Sequence, residues 1–149
     1  MNGMLRGSYT ARVDEKGRMK IPAAFLEVLR EKYSGNFFVT SHNGQFVRIY
    51  PLEEWNHLEE RLVQVSSTSR AKKKFLNLVN YYGQVVSLDK QGRLLIPVLL
   101  RDSASMRGEV TVLGSLTYLD VWNRQRFLED LRRNPLTQDD EKILDDLGV

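Results

Sequence analysis

Val13-Asp14-Glu15-Lys16-Gly17-Arg18-Met19-Lys20-Ile21-Pro22 is matched, 75 residues further on, by Leu88-Asp89-Lys90-Gln91-Gly92-Arg93-Leu94-Leu95-Ile96-Pro97. Asp, Gly, Arg, Ile and Pro are identical in the two stretches, and the flanking positions are apolar in both. Agreement of this kind at a constant offset marks an internal duplication.

The duplication extends as a pattern on both sides of the motif. A strand-like stretch precedes each copy, over 8–13 and 83–88. Each closing proline begins a helix-compatible run, over 23–32 and 98–106; proline at a helix start loses no hydrogen bond that the helix needs. Two short strands follow in each copy. In the first they span 36–41 and 46–50 around the turn His42-Asn43-Gly44; in the second they span 109–113 and 117–122 around Gly114-Ser115. An amphipathic helix ends each copy, over 51–62 with Leu52, Trp55, Leu58 and Leu62 at helical spacing, and over 123–132 with Phe127, Leu128 and Leu131. The expected organisation is a first repeat over 7–54, a basic helical linker over 55–81, a second repeat over 83–126, and C-terminal helices with an acidic tail over 127–149. A single copy can bury only a small core, so the two are expected to complete one β-barrel jointly, with helices around it.

The motif has its own chemistry. Gly17 and Gly92 suit a tight bend with positive φ. Asp14 and Asp89 can accept backbone N–H groups across that bend or hold the guanidinium four residues on. Arg18 and Arg93 then project from rigid turns as preorganised forks, suited to phosphate or to the O6 and N7 atoms of guanine. Arg12, Lys16 and Lys20 lie nearby along the chain and could reach backbone phosphates. The plainer reading is a turn stapled by a local ion pair, duplicated because the fold is duplicated.

Composition narrows the function classes. The 149 residues are 42% hydrophobic and 28% charged, ordinary values for a globular chain. No cysteine is present, which removes disulfides and thiolate metal sites. The longest apolar run, Leu94 to Leu100, is broken by Pro97 and far too short to span a bilayer. Met1 to Arg6 lacks the apolar core of a secretion signal, so a cytoplasmic location is expected. The net charge of +3 hides an uneven distribution: Arg70 and Lys72 to Lys74 make a basic middle, and Asp139, Asp140, Glu141, Asp145 and Asp146 make an acidic end. Trp55, Trp122, Phe37, Phe38, Phe46 and Phe127 read as core.

Catalysis finds no support. His42 and His57 are the only histidines, and neither has a metal-ligand spacing. No nucleophile elbow, phosphate loop or dinucleotide fingerprint appears. No metal or organic cofactor is expected, and the chain is read as a non-enzyme.

The double motif, together with Leu5-Arg6-Gly7, Ile49-Tyr50-Pro51-Leu52-Glu53-Glu54-Trp55, Val112-Leu113-Gly114 and Val121-Trp122, resembles the MraZ family. The resemblance covers about Met4 to Leu131 and leaves the acidic stretch after Pro135 unmatched. It implies two tandem SpoVT-AbrB domains and a β-rich α+β fold, the AbrB-like swapped-hairpin double-split β-barrel. It also implies a transcriptional regulator, expected to act as a repressor, associated with the nucleoid. Such a protein binds double-stranded DNA at direct repeats upstream of the division and cell-wall gene cluster and assembles with itself into a ring. The family's motif residues fall on Arg18, Arg93, Asp14 and Asp89. A ring-forming scaffold, an RNA-binding module and an antitoxin-like regulator remain as other readings. Lys16 and Lys20 around Arg18, against Leu94 and Leu95 beside Arg93, point to the first copy as the stronger DNA contact.

Overall fold

Both motifs fold into a hairpin. In the first copy β1 (Ser8–Val13) turns through Asp14 to Gly17 into β2 (Arg18–Lys20). The computed structural model describes residues 3–149; Met1 and Asn2, part of the N-terminal segment considered above, lie outside the described residues. The first copy continues with α1 (Ala23–Lys32), β3 (Asn36–Thr40), β4 (Val47–Pro51) and α2 (Leu52–Val63). A joining helix, α3 (Arg70–Tyr82), leads to the second hairpin, β5 (Gln84–Ser87) and β6 (Arg93–Leu95). The same order then repeats as α4 (Val98–Ser103), β7 (Gly108–Ser115), β8 (Tyr118–Asn123) and α5 (Arg124–Arg133), before a final helix, α6 (Gln138–Asp146).

Local chemistry explains the helix starts. Pro22, Pro51 and Pro97 stand immediately before α1, α2 and α4 with φ near the value their rings impose. Ser69 and Asn123 cap α3 and α5 by accepting the amides of Lys72 and Arg126. Thr137 and Asp140 form a reciprocal capping box at α6.

The strands form one antiparallel sheet in the order β5-β3-β4-β8-β7-β1-β2-β6. Each copy gives its first strand to the other: β1 pairs with β7, and β5 with β3. The copies also meet through β2–β6 and through β4–β8. The two ends of the sheet come together at the second hairpin, where the Asp89 amide donates to the Arg93 carbonyl at 3.0 Å; the Asp14 amide does the same to Arg18 at 2.9 Å. The result is a nearly closed antiparallel barrel. Read around it, the strand order maps onto itself when each strand is exchanged for its counterpart, so an approximate two-fold axis relates the copies.

The core draws on both copies. Met19 and Leu94 pair at the centre of β2–β6 and are fully buried, with Ile21, Ile96, Phe25 and Leu100 also buried around them. A second cluster lies under α2 and α3, where Trp55 packs on Phe38 at 4.5 Å between ring centroids, joined by Tyr50 and Val79. Neither copy could bury this much apolar surface alone.

Two local expectations are adjusted. The turn expected at Gly114-Ser115 lies instead at Leu116-Thr117, with Ser115 paired to Tyr118. Gly114 stays in the strand because the chain around Leu5 and Arg6 crosses close above it: a Cβ there would sit 2.4 Å from the Arg6 nitrogen. The helix expected over 98–106 ends at Ser103, since Ser105 turns to φ 51° and Met106 is drawn into the core. The linker helix begins at Arg70, and Ser66 to Ser69 form the turn that caps it.

Candidate nucleic-acid interface

The two motif turns are built alike. Asp14 Oδ1 accepts the amides of Lys16 and Arg18, both at 2.9 Å, and its Oδ2 accepts Arg18 Nε at 2.9 Å. Asp89 repeats this with the amides of Gln91 and Arg93 at 2.8 and 2.9 Å and with Arg93 Nε at 2.8 Å. Gly17 and Gly92 complete the bends at φ 82° and 74°. The Arg18 amide above all holds the Asp14 carboxyl below its ordinary value; burial opposes it, and the Arg18 guanidinium and the Lys16 amide add to the lowering. Asp89 is lowered in the same way by Arg93 and Gln91. Each aspartate spends its second oxygen on Nε alone. Among the described residues, the terminal guanidinium nitrogens of Arg18 and Arg93 have no hydrogen-bond partner. Each fork is therefore aimed by its base and free at its tip.

The turns are locked across the copies. The Ile96 amide donates to the Gly17 carbonyl at 2.8 Å, and the Ile21 amide to the Gly92 carbonyl at 3.0 Å. Between them runs the two-stranded ribbon β2–β6, with Met19 and Leu94 facing inward. Alternation then turns Arg18, Lys20, Arg93 and Leu95 outward together.

The pairing reassigns the neighbours read from the sequence. Lys20 stands opposite Arg93, and Leu95 stands opposite Arg18. Lys20 therefore adds its charge to the second fork, and the apolar residue lies beside the first. Lys16 is exposed at the first bend, on the side of Arg18. Arg12 is exposed on β1, where its cross-strand partner is Glu109.

One cation at the site is not evident from the motif. Arg101, on α4 of the second copy, lies over the first turn: a Cβ on Gly17 would fall 2.0 Å from its Nε. Arg101 Nε donates to the Ile96 carbonyl at 3.0 Å, which seats the guanidinium against that bend. The counterpart neighbour at Gly92 is Leu26 of α1. The only sequence signal is position, since Arg101 occupies in the second copy the place that Leu26 holds in the first.

Among the described residues no group of three His, Cys, Asp or Glu is placed to hold a metal ion. None of the described helices is long and apolar enough to cross a membrane. The basic residues of α3 form no ion pair among the described residues; Lys72 Nζ donates to the Val65 carbonyl at 2.9 Å. His42 and Tyr50 share a hydrogen bond of 2.8 Å, and burial, then the charge of Arg48, lower the His42 pKa to about 4.

Comparison with known proteins agrees with this architecture. A family model described as "MraZ protein, putative antitoxin-like" matches residues 4–78 and again residues 83–147. The acidic stretch after Pro135 thus falls inside the second match, against the expectation that it lay beyond the resemblance. The chain is 47% identical to the transcriptional regulator MraZ of Acidobacterium capsulatum, over 98% of this chain and the whole of that protein. It is 46% identical to the transcriptional regulator MraZ of Koribacter versatilis and 33% identical to that of Caldicellulosiruptor bescii, with the same coverage in each case. These relatives are regulators of transcription rather than enzymes. Two tandem matches and near-complete coverage by such relatives show that the chain belongs to the MraZ family.

Proposed function

We propose that this chain is a sequence-specific DNA-binding repressor that presents the outer face of β2–β6 to double-stranded DNA. One observation carries the reading. Two guanidinium forks, each fixed through Nε by its own aspartate and free at its terminal nitrogens, stand on one rigid ribbon. A two-stranded antiparallel ribbon fits the major groove, where an arginine fork matches guanine O6 and N7. Arg18 and Arg93 read bases in this scheme. Lys16, Lys20 and Arg12 contact phosphates, as does Arg101, and their share of the affinity falls with salt. Asp14, Asp89, Gly17 and Gly92 support the forks.

The resemblance noted above extends the reading to a ring of subunits on direct repeats upstream of the division and cell-wall genes, in the nucleoid of the cytoplasm. Several subunits on repeated sites would gain about 10²–10⁴-fold through effective concentration. The test is binding of wild type, Arg18→Ala and Arg93→Ala to the DNA upstream of the chain's own gene, at two salt concentrations, with assembly size followed in parallel. Loss of specific binding with assembly and fold intact supports the reading. Weak, sequence-blind binding by wild type that vanishes with salt overturns it and leaves a scaffold with stapled turns.

A further inference from the structure

We infer that Leu95 reads the 5-methyl group of a thymine next to the base contacted by Arg18, so that the two halves of the DNA face recognise different bases. The inference rests on the DNA-binding reading above. Of the four side chains that the β2–β6 ribbon turns outward, three are cations and Leu95 is the exception. Its counterpart in the first copy is Lys20. Leu95 is 42% exposed, and at the start of α4 Val98 and Leu99 are exposed too, at 63% and 45%. The first copy has Ala23 and Ala24 at those places. On the ribbon itself the apolar side chain is therefore confined to the half that carries Arg18.

The patch belongs to the first fork. Leu95 lies directly across from Arg18, a cross-strand separation of about 5 Å between Cβ atoms. Val98 shares a shallow cleft with Asp14 and Arg101 at the same turn. A leucine gains nothing from a phosphate. In the major groove the apolar feature of a base pair is the thymine methyl, and the commonest partner of an arginine fork is guanine. An arginine and a leucine this close on one ribbon suit neighbouring base pairs. The other half pairs Arg93 with Lys20 and has no apolar member on the ribbon, so it cannot make the same distinction. Each chain would then bind its element in one orientation.

The experiment uses the full chain. Wild type enriches a pool of random duplexes, and each thymine of the enriched element is replaced in turn by uracil, which keeps base pairing and removes only the methyl group. At one thymine beside a guanine, uracil should weaken wild type about fourfold, the effect of one buried methyl. Leu95→Ala should bind the thymine and uracil duplexes equally, at about the level of wild type on uracil, with unchanged Tm. Uracil without effect at every position overturns the inference, as does an equal uracil effect in Leu95→Ala. A change in assembly size of Leu95→Ala without DNA also overturns it, because the patch would then face another copy. If wild type enriches no element, the DNA-binding reading itself fails and the inference falls with it.

Discussion

Arg48 and Asp120 face each other at the centre of the β4–β8 register, close to the approximate two-fold axis, with Arg48 Nε 2.8 Å from Asp120 Oδ1. They are counterparts in the duplicated fold. In a pair of identical copies this position would set like against like, and equal charges directly opposite destabilise a sheet. With both copies in one chain, one position is cationic and the other anionic. The Arg48 guanidinium also lies over the Tyr118 ring, 4.3 Å from its centroid. Burial disfavours both charges and pushes the Asp120 carboxyl up, with Arg48 pulling it back. The hydrogen bond and charge of Asp120 outweigh burial at Arg48 and hold the guanidinium above its ordinary value, so it stays charged.

Removing one member leaves the other charge half-buried without a partner. Asp120→Ala should cost about 3 kcal/mol in urea unfolding. Because the position lies near the axis, the exchange Arg48→Asp with Asp120→Arg should recover most of that loss, the new guanidinium finding Phe46 where the native one finds Tyr118. A double variant no more stable than Asp120→Ala would show that the two sides of the axis are not equivalent.

The aspartates of the motif aim the forks without carrying the fold. Asp14→Asn and Asp89→Asn keep the shape of the turn but remove the charge that holds Nε. Each should leave Tm within a few degrees of wild type and lower discrimination between specific and random duplex by about tenfold. Competition binding measures this, and unchanged discrimination would make the ion pair irrelevant to recognition. Both carboxyls titrate below their ordinary value of 3.8, so the folded form binds the proton less readily than the unfolded chain. Their contribution is complete above that value and is lost only as pH falls through the lowered one. Discrimination should therefore be flat from neutral pH down to about pH 5.

His42 has the same relation to acid, at milder pH. Its pKa falls from 6.5 to about 4 through burial, then through the charge of Arg48. The unfolded chain takes up the proton first. The stability that neutral His42 contributes is complete above 6.5 and is lost as pH falls towards 4, at up to roughly 1.4 kcal/mol per pH unit. Unfolding followed between pH 7 and 4 should show this slope in wild type and a smaller one in His42→Gln. Equal slopes would assign the acid sensitivity to the carboxylates.

α6 has no buried residue, and a nine-residue helix has little stability of its own. Deleting residues 135–149 should leave the unfolding midpoint of the barrel unchanged. It also removes five acidic residues against one lysine, so binding to random-sequence duplex should tighten, more at low salt than at high. A drop in midpoint would mean that α6 supports the core, and unchanged binding at low salt would mean that its charge lies out of reach of the DNA.

Much of this molecule is written in local sequence. The repeat, the bends at Gly17 and Gly92, the proline starts of α1, α2 and α4, and the caps at Ser69 and Thr137 each depend on residues within a few positions of one another. Misplacements arose where distant chain intervened. Gly114 looked like a turn residue because its small size is the usual turn signal, yet that size serves the crossing of the chain near Arg6.

The sequence by itself determined that there are two copies, that each sets an aspartate and an arginine around a glycine bend, and that either copy alone could bury only a small core. Only the tertiary structure decided which residues became neighbours. Lys20 lies beside Arg93, Leu95 beside Arg18, Arg101 over Gly17 and Arg48 against Asp120. These relations join segments tens of residues apart and follow from strand exchange and register. A shift of one residue would turn every side chain of β2 to the opposite face. That register is set by Met19 and Leu94 meeting in the core, which no local pattern can specify.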